Sequence, residues 1–190
     1  MNTIVLVGSF DPLGNERAER GRAAILGLLS NHTRPFDRGS FDPGHITASA
    51  VVLSADRARF LLVYHRKLAR WLQPGGHVEP GDSDVTDTAR REVLEETGVV
   101  LGTAGYPPLV GVDVHEIPAH GEEPFHLHHD LTFGFTVRPE SMVEPSGSAR
   151  AIWCAIDQLD AYGVDEPLLA SLERALSPSP PSPSSPPDLL

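Results

Sequence analysis

Gly75-Gly76-His77-Val78-Glu79-Pro80-Gly81-Asp82, followed by Arg91-Glu92-Val93-Leu94-Glu95-Glu96-Thr97-Gly98-Val99, is the stretch that decides the reading of this chain. Its glycines and proline mark the first part as a loop, within a turn-rich segment from Gln73 to Gly81. The second part closes a segment, Ser83 to Thr97, that reads as a helix with Ser83 or Asp84 as N-cap and Gly98 as its stop. Residues three and four apart share a helical face. Glu92, Glu95 and Glu96 therefore project to one side within a single turn. Three carboxylates that close repel one another unless cations neutralise them, and hard oxygen donors of this kind suit magnesium or manganese. Arg91, four residues before Glu95, can pair with that carboxylate or a neighbour. Gly75 and Gly76 allow a phosphate or metal to approach the backbone closely, and a carbonyl there can complete a metal's coordination. Asp82 and Asp84 are placed to cap the N–H groups at the helix start. Alone, an acidic triplet on a helix is usually an ordinary solvated face. The glycine loop, aspartate, arginine and three glutamates in this order form a much narrower pattern.

Working outward, Ile46 to Leu53 and Arg59 to His65 are strand-like, with a turn at Ser54-Ala55-Asp56-Arg57. Downstream, Leu109 to His115, Phe125 to Val137 and Ala151 to Ile156 read as strands, and Glu166 to Leu176 as a closing helix. Gly121-Glu122-Glu123-Pro124 and Pro139 to Gly147 read as loops. Upstream, Glu16 to Ser30 reads as a short helix between glycine- and proline-rich loops. Strands mixed with two or three helices predict an α/β sandwich around a mixed sheet. Three segments follow: an N-terminal extension with a short helix (1–33), the main domain (34–176) and a tail (177–190). The tail is almost entirely serine and proline, a composition that cannot bury apolar surface.

The glycine loop and helix resemble the Nudix box. That pattern runs glycine, five residues, an acid, seven residues, Arg-Glu, an apolar residue, any residue, Glu-Glu, any residue, glycine and an apolar residue. Gly76 matches the opening glycine, and Arg91, Glu92, Val93, Glu95, Glu96, Gly98 and Val99 match the close. There are two departures: Asp82 stands where the family usually has glutamate, and eight residues, 83–90, separate it from Arg91. The extra residue is placed at Ser83-Asp84, outside the helical face. Gly44-His45-Ile46-Thr47-Ala48-Ser49-Ala50, His65-Arg66-Lys67-Leu68 and Trp71-Leu72-Gln73-Pro74-Gly75-Gly76-His77 are similar to a group of bacterial Nudix proteins, so the resemblance spans roughly Arg34 to Ala155.

The resemblance implies a Nudix-type α/β/α sandwich. It also implies Mg²⁺-dependent attack of water on phosphorus in a nucleoside diphosphate linked to another moiety, with Mn²⁺ as a substitute ion. By position Glu92 and Glu96 are the principal metal ligands, and Glu95 is a further ligand or acts on the attacking water. Arg91 orients the carboxylates. The Gly76 backbone and Asp82 complete the metal set, and Gly75, Gly76, His77, Arg66 and Lys67 contact substrate. Glu122, Glu123 and Asp130 are candidates for a general base on a distant loop. The alternatives are a Nudix domain that senses a nucleotide without cutting it, and an isopentenyl diphosphate isomerase-like enzyme. The latter wants a cysteine in the cleft, where Cys154 is poorly placed.

Bulk properties narrow the partners. The chain has 190 residues, one domain with room for extensions, and 40% hydrophobic content supplies one sizeable core. A formal charge of −11 argues against a nucleic-acid backbone as partner, while an acidic site can take small phosphorylated nucleotides through bridging cations. No apolar run approaches a membrane span, and Ile4-Val5-Leu6-Val7 is too short for a secretory signal. A cytoplasmic protein is expected, with a homodimer left open. Cys154, the single cysteine, excludes an internal disulfide and a cysteine-built zinc site.

Three further features need a reading. His126, His128, His129 and Asp130 read as sheet residues bordering the cleft, with a second metal site as the alternative. Arg66, Lys67 and Arg70 beside Trp71 either hold substrate phosphates or form a solvated hairpin end. Gly8-Ser9-Phe10-Asp11-Pro12 and Gly39-Ser40-Phe41-Asp42-Pro43 resemble the start of the nucleotidyltransferase phosphate motif, but neither has the His-x-Gly-His that must follow.

Overall fold

The structure, a computed structural model, describes residues 2–66, 68–137 and 150–177. Helices α1 (Thr3–Ser9) and α2 (Glu16–Asn31) lead into β1 (Gly44–Ser54), β2 (Arg59–His65), β3 (Arg70–Leu72) and β4 (Gly75–His77). Helix α3 (Val85–Thr97), β5 (Leu109–Ile117), β6 (His126–Val137), β7 (Ala151–Ala155), a 3₁₀ turn (Ile156–Tyr162) and α4 (Glu166–Leu176) follow. The seven strands form one mixed sheet ordered β3-β2-β1-β6-β5, with β4 paired to β1 and β7 to β2. The β1–β6 pair is parallel and continuous from Gly44↔Leu127 to Ser54↔Val137, and the other pairs are antiparallel.

Side chains alternate across a strand, and β1 shows what each face is for. Ile46, Ala48, Ala50 and Val52 point into a core with Val85, Ala89 and Val93 of α3 and Ile25 and Leu28 of α2. Val51 and Leu53 point the other way, into a second core with Phe60, Leu62, Cys154 and α4's Leu168 and Leu172. Helices therefore cover both faces, as the α/β/α reading requires. On the α4 face the first half of β1 carries His45, Thr47 and Ser49 in place of apolar residues, and all three are buried.

The helix ends follow local chemistry. The Asp84 side chain accepts from Thr86 N and Asp87 N and so begins α3, and Gly98 ends it in the left-handed conformation with φ 71°. The strands and helices expected from periodicity lie within a few residues of those observed. Two differ in kind. The loop expected from Gln73 to Gly81 contains β4, because a β1 edge recruits Gly75–His77 as a strand, with Thr47↔His77 and Ser49↔Gly75 in register. The apolar run at Ile4–Val7 forms α1, whose Leu6 and Val7 bury into the same core as α2 and β1. The loop expected at Pro139 to Gly147 and the tail beyond Ser177 lie outside the described residues.

Candidate metal and catalytic site

Arg91 organises the first half of the site. Its Nε and Nη2 donate to the two oxygens of Asp82 at 3.1 and 3.0 Å. Nη2 also donates to the His77 carbonyl at 2.7 Å, and Nη1 donates to Glu92 at 2.8 Å and Glu95 at 3.4 Å. These bonds, Asp82's first, raise the guanidinium above its ordinary pKa, and it stays charged. Asp82 also accepts from Thr88 Oγ1 at 2.8 Å and Glu79 N at 2.9 Å. Burial alone would raise the Asp82 carboxyl, but these donors outweigh it and hold the group below the usual range.

Asp82, expected among the metal ligands, is engaged by Arg91, Thr88 and the Glu79 N–H. Its side chain is 6% exposed, and both oxygens are taken up in fixing Arg91 and the loop. It does not cap the helix. That task falls to Asp84, one of the two N-caps expected.

The three glutamates take distinct positions. Glu92, 15% exposed, fills the space a side chain at Gly76 would need: a Cβ built there would lie 2.6 Å from the Glu92 Cδ. Only glycine fits. Glu96 turns back under the loop, where its Oε2 accepts from Gly75 N at 3.1 Å. Glu95 lies outward, 56% exposed, against Arg91. Burial pushes the Glu96 carboxyl up to about 7, a rise to which the Glu92 and Glu95 carboxylates add and which the Gly75 N–H opposes. Burial also raises Glu92, against the pull of Arg91. Glu96 is thus half-buried. Buried carboxylates with raised pKa values and few cationic neighbours fit a hard divalent ion.

The remaining expected residues scatter. His77 contributes its carbonyl to Arg91, while its imidazole leaves β4 on the face opposite Gly76 and Glu92. Arg66 sits exposed in the β2–β3 turn, and Lys67 lies outside the described residues. Arg70 is committed to Asp165 at 2.6 Å. Trp71 packs edge-on against Tyr64 and Tyr162, which favours the structural reading of that hairpin. Among the general-base candidates, Glu123 pairs with Arg38 at 3.5 Å. Asp130 is buried and accepts from Thr47 Oγ1 at 2.8 Å and Ser49 Oγ at 2.5 Å. Cys154 is buried in the second core, away from any role as a nucleophile.

The sequence did not single out His45. Its ring stands 5.0 Å, centroid to centroid, from both His77 and His128, and 5.1 Å from His126. Burial, with neighbouring imidazoles adding, lowers His77 to about 4 and His128 to about 2. Fixed-spacing motifs do not join His45 to the histidines of β6, because parallel pairing of β1 with β6 is what brings them together.

The NUDIX domain profile matches residues 43–174. The chain belongs to the NUDIX domain family. This NUDIX chain is 36% identical over 92 residues to the mouse (Mus musculus) protein named "Nucleoside diphosphate-linked moiety X motif 6", a match covering 40% of the chain and 29% of that relative. It is 29% identical over 114 residues to the "Putative 8-oxo-dGTP diphosphatase" of Bacillus subtilis (strain 168), covering 60% of the chain and 69% of that protein. The chain thus spans less than a third of the mouse relative's length. Among solved structures it is similar to the NUDIX domain of Shewanella oneidensis NrtR complexed with ADP ribose. The TM-score is 0.53 and the identity 19%, over 78% of this chain and 94% of that one, a likeness of fold.

Proposed function

We propose that this NUDIX protein is a pyrophosphohydrolase that cuts a phosphoanhydride bond in a nucleoside diphosphate linked to another moiety, with Mg²⁺ as its cation and Mn²⁺ as a substitute. The observation that carries the reading is the pairing of Glu92 and Glu96 beneath the Gly75-Gly76 strand, with Arg91 locked in place by Asp82. Glu92 and Glu96 would hold the ion, and Glu95, exposed at the same turn, is the ligand or water-orienting group beside them. The Glu92 carboxylate packs directly on the Gly76 backbone with no side chain between, which holds the backbone of β4 against the proposed ion site. A divalent ion held there supplies charge stabilisation at phosphorus and lowers the pKa of a bound water. Arg91 is a positioning residue in this scheme. It fixes the Glu92 carboxylate and offsets the charge of three acids in one turn. Gly75, Gly76, Arg66 and Lys67 remain the candidates for substrate contact.

Residues 34–176 form the catalytic domain in this reading, with α1 and α2 packed on its core. No helix among the described residues is long and apolar enough to cross a membrane. A cytoplasmic location, a small-molecule nucleotide partner rather than nucleic acid, and a possible homodimer complete the proposal. The test is product analysis over a panel of nucleoside triphosphates, ADP-ribose, nucleotide sugars and dinucleotide polyphosphates with Mg²⁺. Release of a nucleoside monophosphate or of inorganic pyrophosphate from at least one class is expected. Saturable nucleotide binding with no turnover of any of them would favour the sensing-domain alternative.

A further inference from the structure

On the α4 face of the sheet, parallel register sets His45 of β1 beside His128 of β6, and β4 sets His77 against the neighbouring Thr47. One donor nitrogen from each of His45, His77 and His128 lies within 4.8 Å of the other two, the set of this kind found among the described residues. The Nε2 atoms of His77 and His128 are 3.3 Å apart, and the Nε2 atoms of His126 and His128 are also 3.3 Å apart. A tetrahedral ion with bonds of ~2.0–2.1 Å to imidazole holds its ligand nitrogens ~3.3 Å from one another.

Proton counting gives the cluster a direction. A carbonyl oxygen only accepts, so the His45 Nδ1 that meets the Ser40 carbonyl at 3.0 Å carries the proton. The same holds for the His126 Nδ1 against the Pro124 carbonyl at 2.8 Å. Both rings therefore turn a lone pair inward at Nε2. His128 has one N–H at most to offer while it is neutral, and it cannot serve every facing nitrogen. The His45 Nε2 is left buried with no hydrogen-bond partner, in a side chain that is 0% exposed. A buried acceptor left without a partner is destabilising, and a bound cation would satisfy it. A ring whose far nitrogen is pinned by a backbone carbonyl is also how metal-bound histidines are oriented.

We propose that His45, His77 and His128 form a second metal site for a borderline transition ion, Zn²⁺ foremost. His126 flanks the site, and a fourth position is open to water. Imidazole donors suit Zn²⁺, Cu²⁺, Ni²⁺ and Fe²⁺ rather than the hard Mg²⁺ of the glutamate site. His45 forms the buried floor, and the half-buried His77 and His128 give an entry path.

The test uses the full chain, stripped with chelator and titrated with Co²⁺, whose visible d–d absorption reports nitrogen ligation, and then with Zn²⁺ in competition. The expected result is one Co²⁺ per chain with a visible band that Zn²⁺ abolishes. His128→Ala should weaken Zn²⁺ binding at least ~100-fold, and the double variant Glu92→Gln, Glu96→Gln should retain it within about threefold of the parent. Circular dichroism checks folding, and if His128→Ala does not fold, His77→Asn carries the same test with the same expectation. No visible band, or Zn²⁺ binding lost in the glutamate variant and kept in the histidine variant, would overturn the site.

Discussion

Gly76 and His77 are adjacent in β4, yet they look onto two different chemistries. On the Gly76 side a helix brings carboxylates, an arginine and a glycine gap. On the His77 side the sheet brings imidazoles, with Thr47, Ser49 and Asp130 hydrogen-bonded beyond them. The difference lies in how each set is gathered. One helical turn presents Glu92, Glu95 and Glu96 whatever the rest of the fold does, whereas His45, His77 and His128 meet only because three separate strands share a register. A strand pleat one residue deep divides oxygen donors from nitrogen donors, so each side can be broken without touching the other.

Glu92→Gln should have the largest effect. It removes a charged ligand at the gap under Gly76, and steady-state assay on the substrate found by the panel should show kcat lowered on the order of 100-fold or more. Zn²⁺ binding on the imidazole side should be unmoved.

Gly76→Ala attacks the same gap from the strand. The new methyl would displace Glu92, and a loss of about 10- to 100-fold in kcat is expected, together with roughly 1–3 kcal/mol of stability in chemical denaturation from overpacking. Activity at the level of the parent would show that the close approach of Gly76 to Glu92 does not matter.

Asp82→Asn separates positioning from ligation. Loss of its charge frees Arg91 from its strongest partner, and kcat should fall about tenfold. Mg²⁺ affinity should change by less than about threefold, because Asp82 is not spending its oxygens on the ion. A drop in Mg²⁺ affinity as large as that of Glu92→Gln would restore Asp82 to the metal set.

The smallest effect is expected on β5. Burial alone would raise Asp113, but its bonds from His115 and from Arg17 of α2 hold it at about 2. Because the folded pKa lies below the ordinary value, this contribution to stability is full above about pH 4 and is lost as pH falls towards 2. Thermal melts of Asp113→Asn should therefore show a deficit of about 1 kcal/mol at neutral pH, discounted for the half-exposed Arg17. That deficit should shrink as the pH falls from about 4 towards 2, with kcat unchanged throughout.

The carboxylate side was legible in the sequence because its information is local. Helical spacing, an N-cap and a stop glycine fix Glu92, Glu95 and Glu96 on α3, and the glycine pair announces the close approach at Gly76. Asp82 was less legible, because spacing alone cannot tell a ligand from the partner of Arg91, and its bonds from Thr88 and Glu79 are seen only in the fold. The imidazole side was illegible for a different reason. His126 and His128 could be seen alternating on one strand, but His45 lies 83 positions before its partner across a parallel pair, and no period in the chain links them. Nor could apolar pattern reveal that α1 and α2 share the core of the sheet, since Leu6, Val7, Ile25 and Leu28 pack against residues of β1 and β6 that are distant in the chain.

Mn²⁺ binding followed by electron paramagnetic resonance gives the most direct test, applied to the parent chain, Glu92→Gln, Glu96→Gln and His128→Ala. Helix α3 as the seat of the hard cation predicts that both glutamine variants bind at least ~100-fold more weakly, while His128→Ala binds as the parent does. Equal Mn²⁺ affinity across the parent and the two glutamine variants would contradict it.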